Sequence, residues 1–346
     1  MGSVVARTFE LVLRVLGIPS VVISSKMFKY IPREFRRSSY SLVHYLTNTL
    51  LSGRALLCRG SFEGILAGRI GELKLLLDIR KVWKSDYAIV HRSEKDACRE
   101  ILNKEFETVF LEAYSPTPLI AIDFSLWELH SEKESNELLV QLVALLNTVR
   151  RYLTDLNVAF VSMPIELERR LRTIVEHRAW IVESVNDVMR LLGSKFHEGI
   201  VLDPYAEERL DEHVVRGSSM WVLGGVVDDE YPRPYATYTI HKLFYRELPR
   251  RVLMFQGSVV GVPNRINKVV EVLLMTRFDG ISLEEAILRC MSTQDRIVRL
   301  MHEIQRRFGK TRKVSMQIVK ELAKTFGLSD SAIDLVRKKM PHFEFL

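Results

Sequence analysis

From residue 119 onward the apolar positions form short solid runs separated by longer amphipathic stretches, as strands and helices of a parallel sheet do. Leu119–Asp123 is an apolar run ending in a carboxylate. Residues 131–152 then set Leu138, Leu139, Leu142, Leu145 and Leu146 on one face of a long helix. Further strands are expected over 157–162, 199–203, 220–227 and 251–255. Pro164 opens a helix at the first helical position, where its missing N–H is no loss. Apolar strands alternating with helices predict an α/β fold with a mostly parallel sheet, whose ligands bind outside the carboxyl ends of the strands.

The flanking regions are patterned differently. The first 40 residues read as a helix around Phe9, Leu11, Leu13 and Leu16, followed by a basic run. Glycine-punctuated β-prone runs over 56–90 predict a small meander, and 95–111 predicts a helix. Ser115-Pro116-Thr117-Pro118 cannot continue a helix, which places a domain boundary there. Beyond Gly280 the pattern is wholly helical, over 283–291, 294–308, 315–326 and 329–340. The expected domains are therefore an N-terminal α+β RNA-binding domain (1–114), an α/β domain (115–280) and a C-terminal helical domain (281–346). Residues 318–333 hold a helix, a glycine turn and a second capped helix, so a helix-turn-helix regulator is an alternative reading.

Charge changes this picture at the two ends. The net charge is +7, with +5 carried by residues 1–37, +6 by 293–346 and −4 by the middle. Basic ends on a mildly acidic body suit a catalytic centre with peripheral polyanion contacts, since Lys and Arg displace counterions from phosphates. The expected RNA contacts are Lys26, Lys29, Arg33, Arg36 and Arg37, interleaved with Phe28, Tyr30 and Phe35, and Arg306, Arg307, Lys310, Arg312 and Lys313. A solvated surface is the other reading of the same charges. The apolar stretch 15–25 is broken by Pro19, so neither a signal peptide nor a membrane span is expected, and the cytoplasm is the expected location. Cys58, Cys98 and Cys290 lack zinc spacing and read as reduced thiols, with no metal expected.

The motifs of common nucleotide-binding and hydrolytic enzymes (GxGxxG, Walker A, HExxH, GxSxG and CxxC) are absent. The distinctive segment is Trp221-Val222-Leu223-Gly224-Gly225-Val226-Val227-Asp228-Asp229-Glu230. A buried strand ending in two glycines lets a ligand approach the main chain, and the carboxylate after it sits at the ligand-binding edge. Asp228 is the candidate catalytic residue; its alternative role is to cap the following turn. Leu202-Asp203-Pro204 and the segment from Leu248-Pro249 to Gln256-Gly257-Ser258-Val259-Val260-Gly261-Val262-Pro263 add two more strand ends rich in Gly, Pro and Asp. Main-chain groups at three such ends can converge on a polar cofactor.

Taken in order, Ile122-Asp123-Phe124-Ser125, the helix start over 131–141, Gly224 to Asp228, Leu248-Pro249 and the helix over 267–274 resemble the tRNA position-9 purine N1-methyltransferases of the SPOUT superfamily. The resemblance covers about residues 119–279. It implies a deep trefoil knot in the α/β domain, a monomer, tRNA as partner and S-adenosylmethionine as cofactor. The cofactor would be held by Leu202, Gly224, Gly225, Val226, Leu248, Pro249, Gln256, Gly257, Gly261, Val262, Pro263 and Asn267, with Asp228 near the target ring. Two positions depart from the family pattern. Asp229 and Glu230 follow Asp228 where a basic residue and Asn are usual, and Arg250 follows Leu-Pro where an aliphatic residue is usual. Guanine N1 carries a proton and needs a base, whereas adenine N1 has a free lone pair. The extra carboxylates favour the cationic product and hence adenosine, with guanosine next. Another SPOUT enzyme, acting on rRNA, is the remaining alternative.

Overall fold

A computed structural model describes residues 4–346; residues 1–3, where the expected N-terminal domain begins, lie outside the described residues. The chain is compact in two units. One runs up to Ala121 and includes Leu146–Val188, and the other comprises Ile122–Leu145 and Met189–Leu346.

In the first unit the helix Val4–Val15 buries Val5, Phe9, Val12 and Leu13, the spacing of one helical face. Five strands follow: β1 (Ser20–Ile23), β2 (Ala55–Ile70), β3 (Leu73–Leu77), β4 (Trp83–His91) and β5 (Glu100–Ile101), in the sheet order β3-β1-β4-β2-β5. β2, β3 and β4 are the strands expected over 56–90, but they do not form a simple meander: β2 pairs antiparallel with both β3 and β4, which are not neighbours. β1 is an addition to them, inserted parallel to both β3 and β4. The helix expected over 95–111 begins only at Asn103, because the residues before it attach to the edge of β2. Arg99 N–H donates to Arg59 O (2.9 Å) and Leu102 N–H to Leu57 O (2.8 Å). This pairing corrects the reading of three reduced thiols. It brings Cys58 and Cys98 to a Cα separation of 5.1 Å in a disulfide, while Cys290 is a buried thiol outside it. A separation of 40 residues carries no local signal of such pairing.

The second sheet contains β6 (Leu119–Asp123), β7 (Val158–Val161), β8 (Trp180–Val182), β9 (Ile200–Leu202), β10 (Met220–Gly224) and β11 (Arg250–Arg251), in the order β11-β9-β10-β6-β7-β8. β7 runs parallel to β8, and β9 runs parallel to both β10 and β11. All residues of β6, β7 and β9 are buried, which explains their unbroken apolar runs. The strand expected over 251–255 is shorter than its hydropathy implied. Val252 N–H turns to Glu208 O, and Phe255 and Ser258 exchange hydrogen bonds around a tight turn. Its central residues, Gln256 and Gly257, both have positive φ.

In the second unit four further helices, Leu283–Cys290, Thr293–Phe308, Met316–Thr325 and Asp330–Lys339, agree with the predicted ones to within two residues at each end. Ser282, Ser292 and Ser315 cap the first three, each accepting a main-chain N–H that would otherwise be unpaired.

Candidate active site

β10 is buried up to Leu223, and past Gly224 the chain leaves the sheet while remaining tied to the end of β6. Gly225 N–H donates to Asp123 O at 2.7 Å. A Cβ on Gly225 would lie 2.8 Å from the Phe124 ring and 3.0 Å from that same carbonyl. The absent side chain therefore serves close packing of two strand ends.

Each neighbouring strand end carries an anchored carboxylate. Asp123 accepts the Ser125 N–H (2.9 Å) and the Tyr245 hydroxyl (2.9 Å). Burial, and then the nearby Asp123 charge, push the Tyr245 phenol well above its ordinary pKa, so it remains a donor. Asp203 accepts the Tyr205 N–H (2.9 Å) and pairs with Arg250 at 2.7 Å. Arg250 also lies over the Tyr238 ring, 4.5 Å from its centroid. The cation that departs from the family pattern thus neutralises a buried aspartate of the adjacent strand end.

Between these ends lies a pocket of about 310 Å³, lined among others by Leu202, Tyr205, Gly224, Val226, Asp228 and Thr237. Val262 and Pro263 close another side, together with Ile266 and Val269 of the helix Ile266–Leu274. Its walls are apolar with a few polar groups, the usual composition of a small-molecule site. Asp228 reaches it from an exposed position. Of the residues expected to hold a cofactor, Leu202, Gly224, Val226, Val262 and Pro263 line this pocket. Gly225, Leu248, Pro249, Gln256, Gly257, Gly261 and Asn267 are not among its walls.

Several of those residues have other contacts. Leu248 O accepts from His241 Nε2 (3.0 Å), and Pro249 O accepts the Val201 N–H (3.0 Å). A Cβ on Gly261 would meet Arg299 Cβ at 2.8 Å and Asp295 O at 2.9 Å. That glycine admits the helix Thr293–Phe308 to the loop behind the pocket. Arg299 is buried there and donates to the carbonyls of Val260 (3.4 Å) and Gln256 (3.3 Å) and to Glu303 (2.7 Å).

Sequence reasoning missed the residues that fix the loop after β10. Arg233 lines the pocket and forms a two-pronged ion pair with the buried Glu134, at 2.9 and 2.8 Å. The Arg233 hydrogen bonds hold Glu134 well below the ordinary carboxylate range against the opposing effect of burial. Half of this was visible in Ser131-Glu132-Lys133-Glu134, the pattern of a helix capping box. Ser131 N–H donates to Glu134 (2.9 Å) and Glu134 N–H to Ser131 Oγ (3.2 Å). The arginine partner is 99 residues away and has no such signature.

The expected RNA contacts are exposed at both ends of the chain, but not all are free. Arg36 donates to Ile31 O (2.7 Å) and Lys29 O (3.0 Å) and lies over Phe28. Arg306 and Arg307 share Glu303, and Lys313 pairs with Glu344.

No family model matches the chain. A tRNA (adenine(9)-N1)-methyltransferase of Sulfolobus acidocaldarius is 29% identical over 223 residues, 64% of this chain and 69% of that protein. A tRNA (guanine(9)-/adenine(9)-N1)-methyltransferase of Thermococcus kodakarensis is 25% identical over 193 residues, 55% of this chain and about half (51%) of its own length. Among solved structures, Sulfolobus acidocaldarius Trm10 in complex with S-adenosylhomocysteine superposes with a TM-score of 0.65 at 25% identity, covering 98% of this chain and 99% of that one. The parallel sheet is thus that of an α/β class that includes methyltransferases. Within that class, the chain is similar to the tRNA position-9 purine N1-methyltransferases of these two archaea.

Proposed function

We propose that the protein methylates N1 of the purine at position 9 of tRNA, using S-adenosylmethionine, with adenosine the preferred base and guanosine the next. The observation that carries this reading is the position of Asp228 at the pocket outside the strand ends, in a chain whose fold follows an S-adenosylhomocysteine complex over nearly its whole length. The pocket fits such a group: its volume is that of a small-molecule site, and Gly224 exposes main chain in its wall. Leu202, Gly224, Val226, Val262 and Pro263 would hold the cofactor, which when bound supplies an electrophilic methyl group. With guanosine, Asp228 takes the N1 proton as general base; with adenosine, it faces the positive charge that develops on the ring.

The likeness to these tRNA methyltransferases and the basic ends of the chain further support a trefoil knot in the α/β region, a monomer working in the cytoplasm, and tRNA held by the N-terminal domain and the basic C-terminal helices. Calorimetry with S-adenosylhomocysteine tests the reading at its first step. One-to-one binding that is lost when Gly224 is replaced by a bulky residue is the expected result, and no binding to the native protein would remove the methyltransferase reading.

A further inference from the structure

Val227, the residue before Asp228, is buried and has both its main-chain groups engaged. Its N–H donates to His130 Nε2 at 3.0 Å, and its carbonyl accepts from Arg233 Nη1 at 2.8 Å. Arg233 also donates to Leu129 O and, through its two-pronged pair, to Glu134. Glu134 in turn accepts the N–H groups of Glu230 (3.1 Å) and Tyr231 (3.2 Å). The loop is therefore tied down at Val227 and again at Glu230. Between the ties stand only Asp228 and Asp229, both exposed.

We infer that His130, Glu134 and Arg233 are positioning residues that grip the Val227 peptide from both sides and so aim the Asp228 carboxylate at the target ring. The inference rests on the proposed methyltransferase function and deepens it. Misplacing a reacting group by about 1 Å costs up to roughly 10²-fold in rate, so a grip one residue from the carboxylate acts on catalysis.

The histidine adds a pH dependence whose direction follows from its partners. Nδ1 lies 2.9 Å from Trp127 O, and a carbonyl only accepts, so the ring proton is on Nδ1. Nε2 is left as the acceptor that Val227 N–H requires. A second proton on Nε2 would replace this bond by two donors facing each other. The charged groups around the ring are Arg233, which opposes protonation, and Glu134, which favours it. Burial is the largest influence and also opposes the charged form, so the histidine titrates below its ordinary range. Above that lowered range the ring is neutral and the grip is made; as pH falls through it, the grip opens.

The test measures kcat, KM for methyl donor and KM for tRNA, each against pH, in the native protein and in His130→Ala, His130→Gln, Glu134→Gln and Arg233→Lys. Gln at 130 supplies an acceptor oxygen that does not titrate. His130→Ala, Glu134→Gln and Arg233→Lys are expected to lose roughly 10- to 100-fold in kcat, with KM for methyl donor changed less than about threefold in the His130 and Glu134 variants, whose side chains do not line the pocket. His130→Gln is expected to recover most of the rate and to lose the acid limb of the native profile. Amide hydrogen exchange at Val227 provides a readout independent of activity: protection in the native protein at neutral pH, lost in His130→Ala and restored in His130→Gln. A native protein that methylates tRNA, with variants of unchanged kcat and unchanged Val227 protection, overturns the grip and leaves the function standing. A native protein that protects Val227 but methylates no tRNA removes the function instead.

Discussion

Asp228 tests the chemistry residue by residue. If the base is guanosine, Asp228→Asn should cut the single-turnover rate by roughly 10²–10⁴-fold, with the loss shrinking at high pH where N1 ionises unaided. With adenosine the same variant should lose much less, because no proton has to leave before attack. Rates against pH on tRNAs bearing A or G at position 9 separate the two, and equal activity on both at every pH would leave Asp228 with no chemical role. A second residue links pH to stability. His44 is buried, donates to Arg150 O at 2.8 Å, and is lowered to a pKa of about 4 mainly by burial. The unfolded chain takes up this proton below about pH 6.5 and the native one only near 4, so stability is intact above 6.5 and falls between these values. The loss is of order 3 kcal/mol for this group. Urea unfolding of the native protein and of His44→Gln at about pH 7 and about pH 4.5 should show the variant losing less on acidification. At this scale the sequence made the placement of Asp228 at the pocket legible, because a carboxylate just past a Gly-ended apolar strand has a local signature. Its supports were not, since Arg233 and His130 come from distant parts of the chain.

The elements around the pocket depend on a helix that hydropathy marked as a separate domain. Arg299 of Thr293–Phe308 is buried, sits 5.4 Å from the Phe255 ring and donates to both Gln256 O and Val260 O. Arg299→Leu leaves those carbonyls without their donor and removes the buried partner of Glu303, which keeps only Arg306 and Arg307; losing such donors is costly in a low-dielectric interior. We expect its affinity for S-adenosylhomocysteine to fall about tenfold or more by calorimetry; native affinity would show that the loop holds its shape unaided. The long amphipathic helix and the C-terminal helices were legible because each has enough residues to show a helical period. β1 and β8, with four and three residues, were not. Length alone is not the reason, since β7 and β9 are as short: those two are wholly buried and read as solid apolar runs, whereas β8 is only half-buried along its length and β1 lies in the apolar stretch broken by Pro19.

For the whole molecule the charge distribution points to RNA, and the fold changes how that is tested. Removing residues 1–37 would delete Val5, Phe9, Val12, Leu13 and β1 from a buried core, so loss of binding would report unfolding. Neutralising the exposed Lys26, Lys29, Arg33 and Arg37 with glutamine keeps that core. It should weaken tRNA binding and lower the slope of log K against log salt by roughly 0.7–0.9 for each phosphate no longer neutralised, with cofactor affinity unchanged. An unchanged slope would make these cations a solvated surface. The overall class was legible from strand and helix alternation. The way the chain returns in Leu146–Val188 to complete its first unit was not, because that depends on pairings between segments far apart in sequence.

Position-9 methylation itself is decided by incubating the protein with S-adenosylmethionine and unmodified total tRNA, then mapping the methylated nucleotide by mass spectrometry. The expected product carries a single new methyl group on N1 of the purine at position 9, on adenosine first. Absence of methylation, a methyl group at another position, or methylation of rRNA in its place would contradict the proposed function.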